Sequence, residues 1–74
     1  MPRISEFYGI VIAMFYSDHQ PPHFHAIYGE YRASFAVDDF RVLDGELPRR
    51  ASSLVRAWAK LHQHELMRDW KFAQ

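Results

Sequence analysis

The chain contains no cysteine, which excludes a disulfide framework and any thiolate metal site and fits a reducing compartment. It also lacks an excess of charge. Nine basic side chains balance nine acidic ones, so the molecule has no strong positive field of the sort a non-specific nucleic-acid binder carries. No apolar run approaches membrane-spanning length, and the N-terminus lacks the charged stretch, apolar core and small-residue cleavage site of a signal peptide. These absences predict a soluble, cytoplasmic protein. No repeat, linker or low-complexity segment divides the 74 residues, so residues 1–74 read as a single domain.

Aromatic side chains are abundant, with six Phe, four Tyr and two Trp. A small chain without cross-links depends on such rings, because each removes a large apolar area from water. Association as a homodimer or a hetero-complex would add to that stability. Seven of the nine cations are Arg, whose planar fork suits phosphate or carboxylate, although solvated surface guanidinium is the ordinary role.

The residue pattern predicts an α+β domain: a small antiparallel sheet of three to four strands, then one long C-terminal amphipathic helix packed on one face. From Phe7 to Tyr16 nearly every position is apolar, as in a strand covered on both faces. Ser17 to Pro22 reads as a stiff loop, since the Pro pair cannot donate backbone hydrogen bonds. His23–Tyr28 and Tyr31–Val37 read as a hairpin around Gly29 and Glu30, where glycine supplies a positive φ. Asp38 and Asp39 turn the chain into a short fourth strand, Phe40–Leu43, ended by Asp44 and Gly45.

Pro48 marks the first helical position, with Leu47 a poor cap before it. Beyond it Ala51, Leu54, Val55, Trp58, Leu61, His62 and Leu66 share one face at helical spacing, and the helix is expected to reach about Trp70. Trp58 and Trp70 follow that stripe and read as core or interface.

The chemistry concentrates between Asp18 and His25. His23 and His25, two apart on a strand, point to one face, with His19 close by in the loop. Phe24, Ala26 and Tyr28 take the opposite, core side, so His23 and His25 are expected outward or in a shallow groove. A single His there would be an ordinary surface residue; three beside a Pro-Pro loop point to a site. Imidazole titrates near neutrality, so a close pair can supply the base and the acid for metal-independent phosphodiester cleavage. Alternatively, His19, His23 and His25 can present three nitrogens to one Zn²⁺ or Fe²⁺. Asp18 is a candidate for orienting an imidazole, and equally a turn former.

On the helix, His62 falls within the apolar stripe with Glu65 and Asp69 following on the same inward face. The plainer reading is a buried His satisfied by Glu65; the sharper one brings His62 and Glu65 to the histidine segment as ligand or orienting pair. Arg49 and Arg50 stand in the first helical turn, against the macrodipole, where they either point into water or form an anion site with the open N–H groups.

The segments PRISEFYGIVIAM from Pro2, DHQPPHFHAIYGEY from Asp18, LPRRA from Leu47 and WAKLHQHEL from Trp58 together resemble a family of small bacterial proteins catalogued as a domain of unknown function. The resemblance covers nearly the whole chain. Its pattern includes His19, Pro21, Pro22, His23, His25, Arg49, Arg50, His62 and Glu65, but not His64. Family chains continue past the position of Trp70 with a polar, Pro-containing tail, whereas this sequence stops at Gln74. The resemblance implies a toxin component of a two-gene toxin–antitoxin module, partnered by a small antitoxin-like protein. Joined to the residue chemistry, it makes a toxin-like ribonuclease with no cofactor the first expectation. A divalent-metal domain and a non-catalytic interaction module are the alternatives.

Overall fold

A computed structural model describes residues 3–15 and 21–73. The elements in chain order are β1 (Arg3–Phe7), β2 (Ile10–Ala13), β3 (His23–Tyr28), β4 (Tyr31–Ala36), β5 (Val42–Glu46), α1 (Arg49–Leu61) and α2 (Gln63–Ala73). The strands form one five-stranded sheet in the order of the chain, and every neighbouring pair is antiparallel. The class is α+β as expected, but with five strands and two helices in place of three to four strands and one helix.

The additional strand, β1, precedes the apolar run and ends at its first residue, Phe7. Tyr8 and Gly9 both take positive φ, 49° and 79°, as the first and second residues of a type I′ hairpin turn do. The chain therefore reverses at the head of the run, which pairs with the segment before it, Phe7 opposite Ile10 and Arg3 opposite Ala13. The hairpin of His23–Tyr28 with Tyr31–Ala36 matches its expected limits within one residue, with Tyr28 opposite Tyr31.

The last strand is displaced from its expected Phe40–Leu43 position. Asp38 and Asp39 do turn the chain, and the N–H of Arg41, followed by its guanidinium, holds the Asp39 carboxyl below the usual carboxylate range. Phe40 then occupies a left-handed conformation at φ 62° and turns its ring into the core. Pairing resumes only at Val42, and Asp44 and Gly45 lie within the strand. Leu43 is the extra residue of a bulge, since Ser34 faces Asp44 while Phe35 faces Val42.

Gly45 has φ +75°, and a Cβ built there would overlap the Arg32 carbonyl oxygen and lie 3.1 Å from the Ala33 Cα. Gly45→Ala is therefore expected to cost about 2–4 kcal/mol, combining a left-handed penalty with a backbone clash. Gly29→Ala, with φ +60° but nothing within 4 Å of its added methyl, isolates the first of these terms. Urea denaturation of both variants checks the difference; equal midpoints would mean that the β4–β5 ladder yields at no cost.

The helices cover one face of the sheet. Ile10, Ile12, Met14, Phe24, Ala26, Ala33 and Phe35 meet Ala51, Val55 and Ala59 of α1 and Leu66 and Trp70 of α2. Two of the three fully inward residues of α1 are alanines, spaced four apart with Val55, and their small size lets the helix lie close to the sheet. Leu54 and Trp58 flank that row, while Leu61, expected inward, is 82% exposed.

The single expected helix is broken at His62, whose φ of −120° is non-helical and whose N–H returns to Ala59 O at 3.1 Å. The Gln63 side-chain amide donates to the carbonyls of Val37 and Asp38 at 2.7 and 2.9 Å, which ties the start of α2 to the β4–β5 turn. Arg56 donates to Phe40 O at 3.2 Å and secures the same turn to α1. Pro48 is the N-cap, one residue earlier in role than expected, and no side chain caps the helix. Among the described residues, no helix is long and apolar enough to cross a membrane.

Candidate functional site

Alternation along β3 sends Phe24 and Ala26 into the core and places His23, His25 and Ile27 on the sheet face that α1 does not cover. The two imidazoles lie side by side, with ring centroids 5.1 Å apart at 74°. Their surroundings differ.

His23 is only 3% exposed and lines a cleft, so of the two expected positions, outward or in a shallow groove, it takes the second. The cause lies at the C-terminal end of the chain: Trp70 of α2 reaches the first residue of β3, its ring 5.0 Å from that of His23. Nδ1 of His23 is 2.7 Å from the Pro21 carbonyl oxygen. A carbonyl can only accept, so this nitrogen carries the hydrogen, and in the neutral ring Nε2 is the acceptor. The backbone of the Pro-Pro segment thus sets the tautomer of the buried imidazole.

His25 is half-buried, with its ring against Phe15 at 4.3 Å and its Nδ1 3.2 Å from Ser34 Oγ. The hairpin register places Ser34 directly opposite His25, and β5 adds Asp44 opposite Ser34. Two adjoining clefts, about 300 and 370 Å³, share His25, Ser34 and Asp44. Pro21 and His23 line the first, Phe15 and Arg32 the second. The groove therefore combines a base or acid, a hydroxyl, a carboxylate and a guanidinium on an otherwise apolar floor.

Ser34, Asp44 and Arg32 were not among the residues singled out from the sequence. The signal for two of them was present: counting outward from the two-residue turn pairs Ile27 with Arg32 and His25 with Ser34. Asp44 was not accessible that way, because the bulge at Leu43 shifts the register.

The remaining candidates divide. Asp18 and His19 lie outside the described residues. Arg49 and Arg50 are exposed on α1, and Arg50 borders a different cleft that shares no lining residue with the histidine groove. His62 pairs with Glu65, Nδ1 to Oε1 at 3.3 Å, and stacks on Trp58 at 4.8 Å. The pairing is the expected one, but the site is not buried: the side chains are 36% and 58% exposed. Asp69 is half-buried. His62 makes its ring contact with Trp58, and neither His23 nor His25 joins it. Among the described residues, no three His, Cys, Asp or Glu side chains are grouped so as to hold a metal.

No curated protein and no solved structure matches the chain. A family model does, over residues 9–71, a stretch that contains the whole histidine groove, both helices except the last residues, and every described candidate. The chain accordingly belongs to the family described as Domain of unknown function (DUF4160).

Proposed function

We propose that this protein is the toxin-like component of a bacterial two-gene module, paired with a small antitoxin-like protein, and that it cleaves RNA without a metal at His23 and His25. The observation that carries this reading is the close imidazole pair, one ring buried with its tautomer set by Pro21 and the other open to a groove that also holds Arg32.

A neutral imidazole takes the proton of a ribose 2′-hydroxyl, whose oxygen attacks the adjacent phosphorus. The second imidazole, protonated, delivers its proton to the departing 5′-oxygen. The products are a 2′,3′-cyclic phosphate and a free 5′-hydroxyl, and no co-reactant is required. Arg32 offers a guanidinium for the phosphate within the groove, and Arg49 and Arg50 serve phosphates farther along the strand.

A second reading rests on the same hydrogen bond. An imidazole that donates Nδ1–H to a backbone carbonyl is oriented as metal-binding histidines usually are, with Nε2 toward the ion. His25 on the same face and His19 would complete a site for Zn²⁺ or Fe²⁺.

Protein purified without a histidine tag separates the two. Cleavage of single-stranded RNA in EDTA, with no transition metal in elemental analysis, is the expected result. Activity abolished by EDTA, with bound metal that His23→Ala loses, would replace the ribonuclease reading with the metal one. No cleavage in either condition, together with partner binding sensitive to exposed rings such as Tyr31 and Phe72, would leave an interaction module.

A further inference from the structure

Away from the histidine groove lies another cleft, of about 400 Å³, bounded by Tyr8, Ile10, Tyr28, Pro48, Arg50 and Leu54. Its floor is apolar and its rim carries two phenols and a guanidinium. Tyr28 leans over the β1–β2 turn, where a Cβ on Gly9 would be 3.6 Å from its ring. Tyr8 is 81% exposed, so its ring contributes little to the core.

The backbone makes Tyr8 harder to explain as filler. It holds a left-handed φ of 49°, at a position where Asn is the residue most compatible with the turn. A bulky aromatic residue there is strained, and its ring projects to the mouth of a cleft. Arg50 has no ion-pair partner among the described residues, and no acid stands in the first turn of α1 to compete for it.

We propose that this cleft is a nucleotide subsite, in which a base stacks on Tyr8 and Tyr28 and the attached phosphate pairs with Arg50. The cleft's volume lies in the range of small-ligand sites, and a π face beside a guanidinium is the pairing that single-stranded nucleic acid requires. Tyr28 points to the helix-covered side of β3 and His25 to the other, so the subsite lies across the sheet from the groove and would hold a nucleotide beyond the one cleaved, on a strand that rounds the β3–β4 turn. This inference rests on the RNA reading above.

The test uses binding rather than cleavage. A fluorescently labelled single-stranded DNA oligonucleotide lacks the 2′-hydroxyl and so remains intact, and its anisotropy reports affinity. Tyr8→Asn is expected to raise the melting temperature, by relieving the turn, while weakening binding about tenfold. Arg50→Gln is expected to weaken binding and to lower the slope of log affinity against log salt by about 0.7, one phosphate contact.

Binding by the wild type that neither substitution changes would overturn the subsite and leave the RNA reading intact. Absence of binding by the wild type to both this oligonucleotide and an RNA of the same sequence would overturn both. Because Tyr8→Asn favours the turn, loss of binding in a variant with a raised melting temperature cannot be assigned to unfolding.

Discussion

Phe24→Ala is expected to cost about 3–5 kcal/mol, the usual loss for truncating a fully buried aromatic ring. Phe24 is inaccessible to solvent, stacks on Phe35 at 5.6 Å and 11°, and meets the edge of Trp58 at 6.3 Å. A chain of 74 residues has about 4–11 kcal/mol of stability, so the variant should be partly unfolded at room temperature or fully so on mild warming. Near-ultraviolet circular dichroism and a urea titration measure this. A native spectrum with an unchanged midpoint would mean that the helices do not pack on this face. Trp58, read from the sequence as core, lies at the margin of the packed cluster against Phe7, so Trp58→Ala should cost less than Phe24→Ala.

His25→Ala is expected to reduce RNA cleavage by about 10²–10⁴-fold, the usual contribution of a general acid or base, with little change in melting temperature. His25 is only half-buried, and its polar contact at Ser34 is with a residue that is itself half-buried. His23→Ala should lose both activity and stability, because it removes the donor to the Pro21 carbonyl and opens a void beside Trp70. His23→Gln discriminates between these losses: its amide can donate to a carbonyl but cannot exchange protons near neutral pH, so it should recover stability without activity. Should His25→Ala cleave RNA at the wild-type rate, the paired-histidine mechanism fails.

Much of the sheet was legible because its signals are local. The β3–β4 hairpin is encoded by alternation on both sides of a glycine-containing turn, and its register follows from the loop length. The Tyr8–Gly9 turn was missed because an aromatic residue occupies a position that usually carries Asn or Asp, and the surrounding apolar run conceals the reversal. The break at His62 has no local breaker such as proline or glycine. It depends on Gln63 reaching the carbonyls of Val37 and Asp38, a contact across more than twenty residues that periodicity does not register.

The site was half legible for related reasons. The His-x-His spacing and the strand's core side were correct, since both depend on a period of two. The near-complete burial of His23 was not legible, because it results from Trp70, nearly fifty residues later, closing over the beginning of β3.

The arrangement of cover and sheet also has a consequence during synthesis. All five strands precede the helices, and each pairs with its neighbour in sequence, so the sheet can assemble as the nascent chain emerges. The helical cover follows the sheet in the chain. Until α1 and α2 clear the ribosome, Ile12, Phe24 and Phe35 lack the helices that pack on them. For that interval an otherwise finished sheet exposes a sticky apolar surface. The newborn protein is then open to capture by a chaperone, or to aggregation with another unfinished copy.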